Sequence, residues 1–291
     1  MGGLRDWVLA VGLVLAGGLA LAGVSAPAQA RPFDEVVEAG VVRIVVYRDF
    51  APFSSGPDDA MEGVDVDLAR EIAKGLGVDL HLMPLTADEN LDDDLRNAIW
   101  LGPRVSREVG DIMLHVPYDQ RIKQSNSLID TRNEMIVLFS PYYREQMVIA
   151  RHAATPRLDA LHDEDRLSVE VDSMADFVLS GALGGRYRDQ TRRFIALPMA
   201  VEDLRSGALD GVMGPRSEVE WILRDVPGEW KVSAPMVPMM GHMDWPLGIA
   251  VREDSRDLGY AVDGIFRAMM TDGRMASLFR AHGLTYTEPY P

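Results

Sequence analysis

Met61-Glu-Gly-Val-Asp-Val-Asp-Leu-Ala-Arg-Glu-Ile-Ala-Lys-Gly-Leu-Gly-Val-Asp-Leu-His-Leu82 decides the fold. Leu68, Ile72 and Leu76 recur every four residues with Ala69 and Ala73 beside them, while Arg70, Glu71 and Lys74 fall on the other side. That spacing predicts an amphipathic helix lying on a sheet. Asp65 or Asp67 suits its first turn, where a carboxylate meets unpaired N–H groups, and Gly75 or Gly77 suits a left-handed exit. A strand follows from Val78 to Leu82, and Val41-Val-Arg-Ile-Val-Val-Tyr47 reads as another upstream. Strand, loop, helix and strand make one βαβ unit of a parallel sheet.

Gly63-Val64-Asp65-Val66-Asp67-Leu68-Ala69, continued by Ile72-Ala73 and Leu76-Gly77-Val78, resembles the Gly-Phe-Asp-Val-Asp-Leu opening of periplasmic solute-binding proteins of family 3. The resemblance implies an α/β, two-lobed type II periplasmic binding protein fold with a hinge and a central cleft. It names no ligand. On that frame the chain divides into a leader over 1–30, a first lobe over 31–145, a second over 146–244, and a return to the first over 245–291.

The 291 residues carry a formal charge of −16, which disfavours nucleic acid and anionic membrane surfaces as partners. Arg5 precedes an apolar run from Trp7 to Ala22. That run of about 16 residues falls short of the roughly 20 that cross a bilayer. Ser25-Ala-Pro-Ala-Gln-Ala30 then supplies small residues for a signal peptidase, so cleavage is expected after Ala30, with a membrane anchor as the alternative. No cysteine is present, which excludes disulfides, a lipid-anchor cysteine and thiolate chemistry. A soluble periplasmic protein without stable membrane insertion fits these features.

In a parallel sheet, loops at the carboxyl ends of strands hold ligands. Tyr47, Arg48, Phe50 and the neighbouring Pro52 and Phe53 leave the first strand and suit a cleft rim, or pack beneath the lobe. Thr86 to Trp100 is acidic, with Asp92, Asp93 and Asp94 opening a helix whose stripe is Leu91, Leu95, Ala98 and Ile99. A calcium loop is the competing reading, but the glycine and closing glutamate of such a loop are missing. Gly110 to Asp119 is a buried strand carrying His115 and Tyr118 at its end. In family members that bind amino acids, a Thr-x-x-Arg motif follows this strand and its arginine grips the ligand carboxylate; that motif is absent here, leaving Arg48, Arg121 or Arg216 as substitutes by position. Asp88 to Trp100, Asp111 to Asp119 and Pro141 to Glu145 are instead similar to solute-binding-like accessory proteins of quinoprotein methanol dehydrogenases, the MxaJ/XoxJ type.

The second lobe is expected to open with a strand at Leu167–Val171. Asp172 and Ser173 then precede a helix from Met174 to Leu179, whose amino end is either an anion site or a plain cap. A helix stopped at Gly207, a short strand, and a new helix opened at Pro215 bring Arg216 to the cleft. Met236, Met239, Met240, His242, Met243 and Trp245 form a Pro-broken loop suited to Cu(I), to an interface, or to ordinary packing. Leu247–Arg252 returns as a strand, and helices with Leu258, Val262, Ile265 and Met269, then Met275 to Ala281, close the chain.

No hydrolase, zinc-protease or phosphate-loop motif is present, so an enzyme rests only on the few dehydratases that use this fold. No cofactor and no metal are called for. Two functions remain: an accessory that binds or helps mature a periplasmic quinoprotein alcohol dehydrogenase, which the three blocks favour, and an ABC-transporter receptor for amino acids or small organic anions. Tyr47, Arg48, Phe50, His115, Tyr118, Asp172, Ser173, Arg216, Met239, Met240 and Trp245 are the candidates for contact with the partner or a small-molecule ligand.

Overall fold

The computed structural model describes residues 30–118, 135–154, 161, 165–181, 183–235, 237 and 243–290. The leader and its cleavage site, the 119–134 loop with Arg121, and the Met239, Met240 and His242 positions lie outside the described residues. Strands are β1 Val41–Tyr47, β2 Asp79–Leu85, β3 Ile112–Pro117, β4 Ile136–His152, β5 Leu167–Glu170, β6 Arg192–Phe194, β7 Gly211–Pro215, β8 Trp230–Ser233 and β9 Asp244–Arg252. Helices are α1 Phe33–Ala39, α2 Val64–Leu76, α3 Leu91–Leu95, α4 Met174–Asp176, α5 Val201–Arg205, α6 Arg216–Leu223, α7 Arg256–Thr271 and α8 Arg274–Ala281.

The expected βαβ unit is β1, α2 and β2, with β1 and β2 parallel over their whole length. Val64, Val66, Leu68, Ala69, Ile72 and Ala73 of α2 are buried. Its exit is Gly77 in the left-handed region, whose N–H reaches the Ala73 and Lys74 carbonyls. Its entry differs from expectation: the cap is Gly63, and neither Asp65 nor Asp67 caps it. Asp65 is turned inward and fully buried, while Asp67 pairs with Arg70 and His282.

Strand order is β2-β1-β3-β9-β4-β7-β5-β6, with β8 also on β4. The 17-residue strand β4 joins two half-sheets. Its first part, to Gln146, pairs antiparallel with β9, and from Met147 onward it pairs with β7 and then β8. Each half has its own cores: Ile44, Leu68, Ile72, Ile112 and Phe266 belong to one side, Val148, Val212, Val219 and Ile222 to the other. Trp221 of α6 packs against cores on both sides, as does Trp245 of β9.

Two helices depart from simple α geometry. The acidic α3 is capped by Asn90, whose side chain accepts from the Asp93 N–H, and continues as a π-helical turn over Arg96–Trp100. The expected Met174–Leu179 helix is likewise one α turn followed by a π turn over Phe177–Gly181. Among the described residues no helix is long and apolar enough to cross a membrane.

Gly63 shows why the α2 entry needs glycine. Its φ is 130°, and a Cβ there would collide with the carbonyls of Phe53 and Pro52. Gly63→Ala is therefore expected to lower stability by about 2–4 kcal/mol, through strain and displaced backbone. Urea denaturation followed by circular dichroism reads this change directly.

Candidate functional site

The carboxyl ends of β1 and β3 meet at an aromatic corner. After Tyr47 the chain turns at Asp49 (φ 54°) and a cis Ala51–Pro52 bond. The Ser54 hydroxyl, donating to the Tyr47 carbonyl at 2.6 Å, ties the loop back to its strand. Phe50 stacks on Phe53 with ring centroids 5.4 Å apart, and Tyr47 meets Phe50 edge-on at 5.8 Å. Phe53 is core; Phe50 stays partly exposed at the rim. The Tyr47 hydroxyl donates to Asp94 at 2.9 Å, tying the acidic α3 to this corner. Burial, followed by the Asp94 charge, pushes that phenol up.

His115 completes the corner. It sits at positive φ where β3 slips register against β9, so its ring leaves the sheet and packs 4.1 Å from Phe53 and 4.8 Å from Phe50. Its Nδ1 lies 3.2 Å from Asp65 Oδ2, close enough for an ion pair yet without hydrogen-bond alignment for either atom. The other Asp65 oxygen accepts from the Tyr142 hydroxyl at 3.1 Å. Burial first, and Asp65 second, hold that phenol well above its ordinary range.

A second group of carboxylates lies where β4 leaves β9 for β7 and on the half-sheet beyond. Glu145 is buried; it accepts from the Ser217 hydroxyl and from the N–H of Gln146. Burial raises its pKa, opposed in part by Ser217, Gln146 and the nearby His115. Glu218, one turn into α6, is pushed up to about 8 by burial and by the charges of Glu170 and Glu145. Among the described residues it has neither an ion-pair partner nor a hydrogen bond. Glu170 ends β5, and its carboxylate accepts from the Leu197 N–H at 3.3 Å. Tyr143 is fully buried, its hydroxyl has no partner among the described residues, and Glu145, Glu220 and Arg216 all act on it electrostatically.

The sequence candidates thus scatter. Tyr47, Phe50 and His115 converge. Arg48 is held by Asp58 at 2.8 Å, and Arg216 by Glu220 at 3.2 Å and the Gln146 side chain at 3.1 Å. Ser173 is a plain helix cap, accepting from the Asp176 N–H and donating to the Glu170 carbonyl, and Asp172 beside it is exposed. Tyr118 donates its N–H to the Pro246 carbonyl, and Trp245 is half-buried opposite Glu145 on β9. Tyr143, Glu170 and Glu218 were not singled out from the sequence, Asp65 was read only as a helix-start residue, and Glu145 only as the end of the Pro141 to Glu145 block. The available signal was position: Glu170 closes β5, and Glu218 comes three residues after the end of β7.

This architecture is the two-lobed fold of periplasmic amino-acid-binding proteins. It matches an ancestral cationic amino-acid solute-binding protein at 18% identity, covering 86% of this chain and 99% of that one, with a TM-score of 0.66. An amino-acid transporter substrate-binding protein of Streptococcus pneumoniae, bound to L-arginine, matches at 20% identity over 88% and 99% of the two chains, TM-score 0.56. The arginine-binding protein of T. maritima, as a mutant, matches at 22% identity over 86% and 97%, TM-score 0.55. Residues 42–98 match the bacterial extracellular solute-binding proteins, family 3. Over 65 residues the chain is 37% identical to a cyclohexadienyl dehydratase of Pseudomonas aeruginosa, a stretch that is 22% of this chain and 24% of that protein.

Two outcomes follow from the geometry. Asp65→Ala strips the buried Tyr142 hydroxyl of its acceptor and is expected to cost about 1–3 kcal/mol in urea denaturation. Glu218 makes stability pH-dependent. An unfolded glutamate releases its proton near about 4.3, whereas the folded one holds it to about 8. Between these values the folded state binds more protons, so stability falls as pH rises and levels off above 8. The drop is expected to be on the order of 5 kcal/mol, and Glu218→Gln removes it in a series of melts from pH 4.5 to 9.

Proposed function

We propose that this protein is an exported solute receptor of the ABC-transporter type, capturing an amino-acid-like small molecule between its lobes. The observation that carries the reading is the crossover on β4, which pairs with β9 up to Gln146 and with β7 from Met147, so that two half-sheets with separate cores share one backbone. Two bodies joined in this way are what a receptor that closes on a small molecule requires. The partial family match and the amino-acid-binding neighbours support it. The lobes divide at Gln146 on β4 and at Asp244–Trp245 on β9, which serve as the hinge, and the leader directs the chain to the periplasm with cleavage after Ala30.

A thermal-shift screen of amino acids, amines and organic acids tests this. A ligand that binds only the folded state adds about 2.7 kcal/mol at a hundredfold excess over Kd, a clear rise in Tm. His115→Ala is expected to abolish that rise. A screen without any hit overturns the receptor reading.

One observation favours a second reading, in which the protein serves a periplasmic quinoprotein methanol dehydrogenase. Val171, Met174, Phe177, Ile195 and Met199 are all exposed, on or just beyond the ends of the adjacent strands β5 and β6. Apolar side chains grouped in this way suit a protein partner. The relatives above lend no support to the dehydrogenase itself. Co-purification of a dehydrogenase with tagged protein at low salt, and loss of alcohol oxidation in a deletion strain, decide for it; absence of both decides against.

A further inference from the structure

We propose that removal of the leader after Ala30 turns the first residue of the processed chain into a structural ion: the new α-ammonium of Arg31 pairs with the buried carboxylate of Asp111 and locks the start of the chain onto the first half-sheet. This rests on the cleavage proposed with the receptor reading and needs no ligand.

The geometry is already in place around a neutral amide. Arg31 N donates to Asp111 Oδ1 at 3.2 Å, and its Nε donates to the same oxygen at 3.1 Å. Its Nη2 reaches Asp111 Oδ2 at 2.6 Å and the Val41 carbonyl at 2.8 Å. The Arg43 amide adds a further bond to Oδ2 at 2.8 Å. Asp111 is 0% exposed and stands one residue ahead of β3, so this one side chain ties the chain entry to β1 and β3 together. A carboxylate taken out of water is tolerated where opposite charge and hydrogen bonds compensate it. Here the residue that does so twice, through its side chain and its backbone nitrogen, is the one that cleavage makes terminal.

Charge points the same way. Two carboxylates act on Arg31, Asp111 and Glu35 of α1, and one guanidinium stands against them. Arg43 of β1 meets Asp111 through its backbone, and Asp257 of α7 accepts from the Phe33 amide at 3.2 Å. Before cleavage the corner therefore carries more negative than positive charge. Hydrolysis of the Ala30–Arg31 bond adds one water across it. The oxygen stays on the leader as a carboxylate, and both hydrogens end on the Arg31 nitrogen, which becomes the second positive charge. A charge-assisted hydrogen bond is shorter and roughly twice as strong as the neutral one it replaces. Ala30 is itself closed in at 3% exposure, so cleavage precedes the closing of this corner, and the state that forms is the one with the free amine.

Pairing with Asp111 favours the charged amine, so it titrates above the ordinary range of about 7.7–8.0. Its stabilisation is complete below that range and is lost as pH rises through the higher folded value. Burial without a countercharge moves an amine in the opposite direction.

N-terminal sequencing of the exported protein comes first, and Arg31 is expected as its first residue. Labelling of that mature protein with acetic anhydride from pH 6 to 10, read by mass spectrometry of the N-terminal peptide, then titrates the amine. The midpoint is expected about one pH unit or more above that of the same amine in urea, with labelling at pH 8 slowed about tenfold. Asp111→Asn, which keeps the shape and one acceptor, is expected to return the midpoint to the ordinary range or below it. If that variant does not fold, the titration of the unsubstituted protein decides by itself. A folded amine that titrates within or below the ordinary range overturns the clamp and leaves the processing standing. A raised midpoint unchanged in folded Asp111→Asn overturns it as well. A first residue other than Arg31 overturns both the clamp and the assigned cleavage.

Discussion

Everything in this molecule hangs on one strand that belongs to both halves. β4 runs for 17 residues, and the antiparallel ladder it shares with β9 gives way at Gln146 and Met147 to the ladder it shares with β7. Backbone hydrogen bonds are the least negotiable interactions in a sheet, because a buried N–H or carbonyl without a partner costs as much as a lost bond. The two half-sheets are therefore held in fixed sequence along one backbone. The positions of Phe50, His115, Glu170 and Glu218 are consequences of that arrangement, since each lies at or just beyond the end of β1, β3, β5 or β7.

Around these strand ends the governing quantity is the cost of charge away from water. Asp65, Glu145 and Tyr143 are removed from solvent, and Glu218 is pressed by two other carboxylates. Folding tolerates these groups because β4 and α6 are fixed by apolar packing elsewhere, through Val148, Val212, Val219 and Ile222. Stability given up at one place and recovered at another is the usual signature of a site shaped for something other than folding.

Periodicity made the scaffold legible. Leu68, Ile72 and the β-branched run Val41–Tyr47 describe local geometry, and local geometry is what spacing reports. The π turns at Arg96–Trp100 and Phe177–Gly181 were invisible because a helical stripe looks much the same in either winding. The site was harder for a different reason. His115 leaves the sheet to pack on Phe50 and Phe53 only because of a register slip against β9, and the Glu145, Glu170 and Glu218 group is assembled from segments up to 73 residues apart (Glu145 to Glu218). Arg48 and Arg216 were nominated for their charge, yet their availability depends on Asp58, Glu220 and Gln146, partners that charge alone does not reveal. Asp65 was assigned to a cap by its position in the helix; burial against Tyr142 won.

Trp221 sits three residues after Glu218 on α6, inserted into apolar clusters of both half-sheets, with the Arg224 guanidinium 4.6 Å over its ring. The amide of Thr285, near the end of the chain, reaches back to Glu220 on the same helix. The short rod that carries Glu218 is thus also the rod wedged between the two bodies. Any rotation of one body against the other must drag the indole across a protein–protein seam inside a single chain, changing its surroundings and its emission. Trp221 is thus a built-in optical gauge of the packing between the two bodies.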